Sequence, residues 1–152
     1  MKKSISFGII LFLLFSFSVA CSPRKPIVYI HSGDNLYGIT VEIADNDQER
    51  ARGLMERESV PENTGMFFVY PKDIKADFWM KNMKVPIDMI FITSDRVIDT
   101  IRHNAPPCSE NETCAHYRSE GEVRYVLEVR AGYAEDKGIE PGDQISFEHF
   151  QP

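Results

Sequence analysis

Pro86-Ile87-Asp88-Met89-Ile90-Phe91-Ile92-Thr93-Ser94-Asp95-Arg96-Val97-Ile98-Asp99-Thr100-Ile101-Arg102 is the stretch whose reading decides the fold class. Two runs rich in β-branched and aromatic residues flank a polar break at Ser94-Asp95, the pattern of a β-hairpin. Strand parity sends Ile87, Met89 and Phe91 to one face, and Asp88, Ile90 and Ile92 to the other. Both faces are apolar apart from Asp88, so this strand is expected to be covered on both sides.

The same alternation spreads outward in both directions. Ile27–Ile30, Leu36–Ala44, Gly65–Tyr70 and Asp77–Lys81 precede the hairpin as strands; Val123–Arg130 and Ile145–Phe150 follow it. Asp45-Asn46-Asp47 offers helix N-caps, and Gln48–Met55 reads as a short helix. Ala131–Gly138 allows one or two helical turns, and Glu140-Pro141-Gly142-Asp143 matches a type II turn. Residues 103–122 are polar, with two prolines and two cysteines, and are expected to form one long loop. The helices do not alternate with the strands, which excludes a βαβ plan. The expectation is a mainly β fold: a single β-sandwich or partly closed barrel of about eight short strands with one or two short helices.

The N-terminus has a different character. Lys2 and Lys3 precede an uncharged apolar run, Ile5–Ala20, too short for a membrane-spanning helix of about 20 residues. Residues 1–20 therefore read as a secretory signal peptide. The run ends Ser18-Val19-Ala20-Cys21, which resembles the lipobox of bacterial lipoproteins, with Cys21 as the acylated first residue of the mature chain. Residues 21–26 are a proline-containing linker, and 27–152 make a single β domain. The expected location is exported and membrane-anchored by the N-terminal lipid, facing the periplasm or the cell exterior. The expected partners are the membrane, through the lipid on Cys21, and an envelope ligand or protein. The 152-residue chain carries a formal charge of −6; without residues 1–20 it has 15 basic against 23 acidic side chains, a net of −8. No nucleic-acid partner is expected, because phosphate binding draws on clustered Lys and Arg.

Four groups of residues carry potential chemistry. Arg50 and Arg57 are seven apart and share a helix face if the helix survives Gly53, where they would clamp an anion or form structural ion pairs. Asp88 and Glu128 are single carboxylates inside apolar strands; such a pair serves either acid/base hydrolysis of a glycan or a structural role against arginine or backbone N–H groups. The donors expected for Asp88 are Arg50, Arg57 or the backbone near the Lys81–Pro86 turn. Met55, Met66, Met80, Met83 and Met89 are thioethers that suit Cu(I), but they serve equally as core filler. His103, Cys108, Cys114 and His116 lack the close cysteine pair of a zinc site, and a Cys108–Cys114 disulfide is expected after export. HExxH, GxSxG, GxGxxG and P-loop patterns are absent.

With these residues laid out, the chain resembles a bacterial and archaeal family known as domain of unknown function 192, over about residues 37–149. The resemblance rests on Arg50-x-x-Gly53-Leu54-Met55-x-Arg57, Gly65-Met66-x-Phe68 and Trp79-Met80-x-Asn82-x-x-x-Pro86-x-Asp88-x-x-Phe91. Leu127-Glu128, Gly132, Gly138 and Gly142-Asp143 continue it in order. Met83 and Ile87 stand where that pattern usually has Thr and Leu. The resemblance implies an all-β, sandwich-like fold and frequent export, and brings no established activity, cofactor or catalytic residue. The leading functional expectation is a lipid-anchored binding or accessory domain without catalysis, cofactor or metal. Its ligand pocket or buried polar cluster would be drawn from Arg50, Arg57, Trp79, Asn82, Asp88 and Glu128. The rival expectations are an envelope hydrolase using Asp88 and Glu128, and a metal chaperone.

Overall fold

The computed structural model describes residues 24–109, 111–150 and 152; the expected signal peptide and Cys21 lie outside the described residues. The elements are β1 (Ile27–Ser32), β2 (Asn35–Ala44), α1 (Asp47–Arg52), β3 (Thr64–Ile74), β4 (Asp77–Trp79), β5 (Ile87–Ile92), β6 (Ile98–Ala105), β7 (His116–Arg118), β8 (Val123–Arg130), α2 (Tyr133–Lys137) and β9 (Gln144–Glu148). Seven strands form one sheet in the order β6-β5-β8-β3-β2-β1-β9, and β4 pairs with β7 in a two-stranded second sheet. All neighbours are antiparallel except β2 and β3, which run parallel.

The large sheet curls until its two ends approach. Val97 bridges Gln144, the Ile98 N–H donates to the Asp143 carbonyl at 2.8 Å, and the Ile145 N–H donates to the Arg96 carbonyl at 2.9 Å. The outcome is the partly closed barrel rather than two stacked sheets. Each face of the sheet has its own apolar core. Ile30, Ile39, Phe67, Ile90, Leu127 and Tyr133 fill the concave side, which α2 closes. Leu54, Phe68, Met80, Met89, Phe91 and Val126 pack on the convex side, with Phe78 of β4 and Tyr117 of β7 against them. Every residue of β5 is buried, as the double coverage inferred from its composition requires.

Several local expectations need correction. The first helix ends at Arg52 rather than Met55, because Gly53 adopts φ 50°, ψ −140° and turns the chain. The 103–122 stretch is not one loop: His103–Ala105 extends β6, and His116–Arg118 forms β7. Polar residues made these segments look like loop, but exposed strands at a sheet margin carry polar side chains as readily. The hairpin between β5 and β6 turns at Thr93–Val97, with Arg96 at φ 66°. The type II turn is present, with Gly142 at φ 100° and the Asp143 N–H donating to the Glu140 carbonyl.

Candidate functional site

Asp88 and Glu128, the two carboxylates embedded in apolar strands, meet opposite fates. In the β5–β8 pairing Asp88 lies across from Val129, and Met89 across from Glu128. Residues directly opposite point to the same face, so Asp88 projects to the concave side with Ile90, while Glu128 projects to the convex side with Met89. One sheet separates them. They cannot flank one scissile bond, and the carboxylate-pair hydrolase is set aside on this ground.

Asp88 is fully buried and held by backbone donors alone. Its Oδ1 accepts from the N–H groups of Asn104 at 2.8 Å and Gly132 at 3.0 Å, and its Oδ2 from Ala134 at 3.0 Å. Neither expected arginine reaches it, and the donors come from β6 and the start of α2, not from the Lys81–Pro86 turn. Arg50 instead donates to the Val69 carbonyl at 2.8 Å and to Asp47 at 2.6 Å. Arg57 grips Glu42 with both terminal nitrogens at 2.6 Å. The two arginines do not form a shared clamp, because the chain turns at Gly53 between them. Asn82 sits at φ 58°, a conformation Asn tolerates, and its carbonyl accepts from the Glu56 N–H. It shapes a turn.

Glu128 is 5% exposed, and its Oε2 has no hydrogen-bond partner. Burial among apolar side chains pushes the carboxyl up from its usual 4.5 to about 8, with the Leu54 backbone N–H pulling weakly the other way. At neutral pH it is therefore protonated. It lies at the base of a pocket of about 290 Å³ whose walls include Leu54, Met55, Phe68, Tyr70, Phe78 and Met83. Phe68 and Phe78 meet edge to face at 5.1 Å. Arg50 and Arg52 of α1, and Asp77 and Trp79 of β4, stand at the mouth. The Arg50 guanidinium lies 5.2 Å over the Tyr70 ring, and the Lys81 ammonium 5.5 Å over the Trp79 ring. Asp77 is engaged by His116 at 2.7 Å and Arg118 at 2.9 Å, and these partners hold its carboxyl below the usual range against the opposing effect of desolvation.

Of the six candidate residues, the structure brings Arg50, Trp79 and Glu128 to one pocket, and places Arg57, Asn82 and Asp88 elsewhere. Arg57 borders a separate groove of about 390 Å³ with Val41, Val60 and Pro61, on the far side of Leu54. Sequence reasoning missed Gly53 as a pocket residue. A Cβ there would lie 3.2 Å from the Phe68 ring and 3.6 Å from Glu128 Oε2, so the missing side chain lets both pack closely against the turn. The aromatic walls were missed too, since Tyr70 and Phe78 read only as strand residues.

Cys108 and Cys114 are joined, with an S–S distance of 2.09 Å and a Cα separation of 5.5 Å. The Cys108 N–H donates to the Met80 carbonyl at 3.1 Å, so the bridged loop is fastened beside the strand that carries Trp79. Among the described residues no cluster of three or more His, Cys, Asp or Glu is placed to hold a metal ion. Met66, Met80, Met83 and Met89 are buried in the convex core, where they fill volume.

The family described as Uncharacterized ACR, DUF192, matches residues 28–147. The chain belongs to this family. A UPF0127 protein from Thermococcus sibiricus is 30% identical over 110 residues, covering 71% of this chain. The match spans 66% of that relative's length, just under two thirds. Two crystal structures share the architecture. A protein from Sinorhizobium meliloti 1021, provisionally labelled a transcription regulator, is 36% identical with a TM-score of 0.76, covering 85% of this chain and 98% of its own. A protein of unknown function from Novosphingobium aromaticivorans DSM 12444 is 32% identical with a TM-score of 0.74, covering 79% and 83%. In this DUF192 chain the motif residues Arg50, Gly53, Leu54, Met55, Phe68, Trp79 and Glu128 all border the one pocket. Asn82 and Asp88, also in the motifs, secure turns around it and behind the sheet.

Proposed function

We propose that this protein is an exported, lipid-anchored binding or accessory domain of the cell envelope, and that its ligand site is the Glu128 pocket. One observation carries the binding site: Glu128, whose carboxyl keeps one buried oxygen without a partner, lines an open pocket. Leaving such a group unpaired costs about 1–3 kcal/mol, and a ligand that pairs with it recovers that cost. The separation of the two strand carboxylates onto opposite faces counts against a carboxylate-pair hydrolase.

Export and anchoring are supported by Lys2-Lys3, the apolar run to Ala20 and Ser18-Val19-Ala20-Cys21. The Cys108–Cys114 disulfide fits an oxidising compartment. Six residues from Cys21 to Pro26 reach at most roughly 20 Å, which keeps the domain close to the bilayer. The transcription-regulator label of the Sinorhizobium protein is not carried over, because a chain with a net charge of −6 has little electrostatic attraction for nucleic acid.

Two measurements test this reading. Cys21→Ser is expected to move the protein from the membrane to the soluble fraction and to stop its maturation as a lipoprotein; unchanged partition and processing contradict the anchor. Trp79 is the chain's one tryptophan, so its emission reports on the pocket mouth. Titration with monosaccharides, amino acids and short organic acids is expected to give a saturable change with at least one class. A flat response to all three classes counts against the site.

A further inference from the structure

Resting on the reading of the Glu128 pocket as a ligand site, we propose that it takes a small uncharged or anionic molecule with an apolar body, seated with a hydrogen-bond acceptor against Glu128, and that it rejects amines. The pocket's volume of about 290 Å³ lies at the low end of small-molecule sites, which run from roughly 300 to 1,000 Å³. One ring with a short substituent fits within it. Phe68, Tyr70, Phe78 and Met83 supply an apolar lining for that ring.

The polarity at the base follows from what surrounds Glu128. Arg50 and Arg52 approach from α1, Tyr70 from β3 and Asp77 from β4, while β5 presents the apolar Met89. Arg50 is committed to Val69 and Asp47, and Asp77 to His116 and Arg118. None of these charges forms a hydrogen bond or ion pair with Oε2, and the carboxyl keeps its proton at neutral pH. A protonated carboxyl has one O–H to donate, so the complementary ligand atom is a carbonyl, ether or hydroxyl oxygen.

The mouth decides against a cation. Aromatic rings and a carboxyl are the usual materials of an ammonium cage, in which a ligand cation sits over ring faces. Here Arg50 and Lys81 of the protein itself already lie over the Tyr70 and Trp79 rings. These cations, with Arg52 beside them, repel an entering amine and attract an anionic tail, against the opposing charges of Asp47 and Asp77.

The test uses four probes of one size: acetophenone, benzoate, toluene and benzylamine. Binding is followed by the backbone amide shifts of Leu54, Phe78 and Glu128 in the purified protein. Acetophenone and benzoate are expected to bind more tightly than toluene at pH 6.5, and benzylamine most weakly. As Glu128 ionises, acetophenone affinity is expected to fall roughly tenfold or more by pH 9.5, while toluene is little affected. Glu128→Leu preserves bulk, and in it acetophenone is expected to bind no better than toluene. Glu128→Gln keeps a donor, and is expected to bind acetophenone without the pH dependence. Benzylamine binding more tightly than acetophenone overturns the proposal, as does acetophenone affinity equal to that of toluene, or constant or rising between pH 6.5 and 9.5. If none of the four probes shifts these amides, it is the pocket reading itself that fails.

Discussion

Asp88→Asn is expected to lower the midpoint of thermal unfolding by roughly 10 °C. The side chain is fully buried and accepts three backbone N–H bonds, from Asn104, Gly132 and Ala134. These bonds tie β5 to the end of β6 and to the start of α2. An asparagine turns an NH2 group toward at least one of those N–H groups, which replaces an attraction with two opposed donors. Bonds to a charged acceptor are worth about 1.5–3 kcal/mol each, and a stranded buried donor costs about 1–3 kcal/mol. A net loss of about 3 kcal/mol corresponds to the stated shift for a domain of this size. Differential scanning calorimetry of wild type and variant checks it. An unchanged midpoint would mean that Asp88 does not hold these elements together.

Glu128→Gln is expected to act in the opposite direction. The folded carboxyl titrates at about 8, against its usual 4.5. Between those values the folded protein retains a proton that the unfolded chain has released. Stability from this group is therefore fully present below about pH 4.5, falls as pH rises through the window, and levels off above about 8. The slope approaches ~1.4 kcal/mol per pH unit within the window. The glutamine variant lacks this loss. It should match wild type near pH 4.5 and exceed it by about 4 kcal/mol at pH 8, as read from urea unfolding at both values. All other titrating groups are common to the two proteins, so the difference isolates Glu128. Parallel pH profiles for wild type and variant would contradict the buried, unpartnered state of this carboxyl.

Much of the fold was legible because strand parity is a local property. The all-buried strand Ile87–Ile92, the alternation in Val123–Arg130 and the Glu140–Asp143 turn each follow from a few adjacent residues. The parallel pairing of β2 with β3 and the approach of β6 to β9 were not legible, since they depend on which distant strands meet. The candidate site divides along the same line. Parity already placed Asp88 and Glu128 as lone charges in apolar strands. Which one would be satisfied was decided elsewhere, by the backbone of Asn104, Gly132 and Ala134 arriving on one face only. Arg50 and Arg57 looked like partners because helical spacing was extended through Gly53, whose backbone turns out of the helix and packs against Phe68 and Glu128 instead.

One of the two strand carboxylates is sealed by backbone donors, while the other is neutral, with one oxygen unpaired, in the lining of a pocket. A carbon-13 NMR titration of the Glu128 side-chain carboxyl in the ligand-free protein tests it most directly. The structure predicts a midpoint at about 8. A midpoint at the usual 4.5 would mean that the carboxyl is solvated or already paired, and would contradict the account.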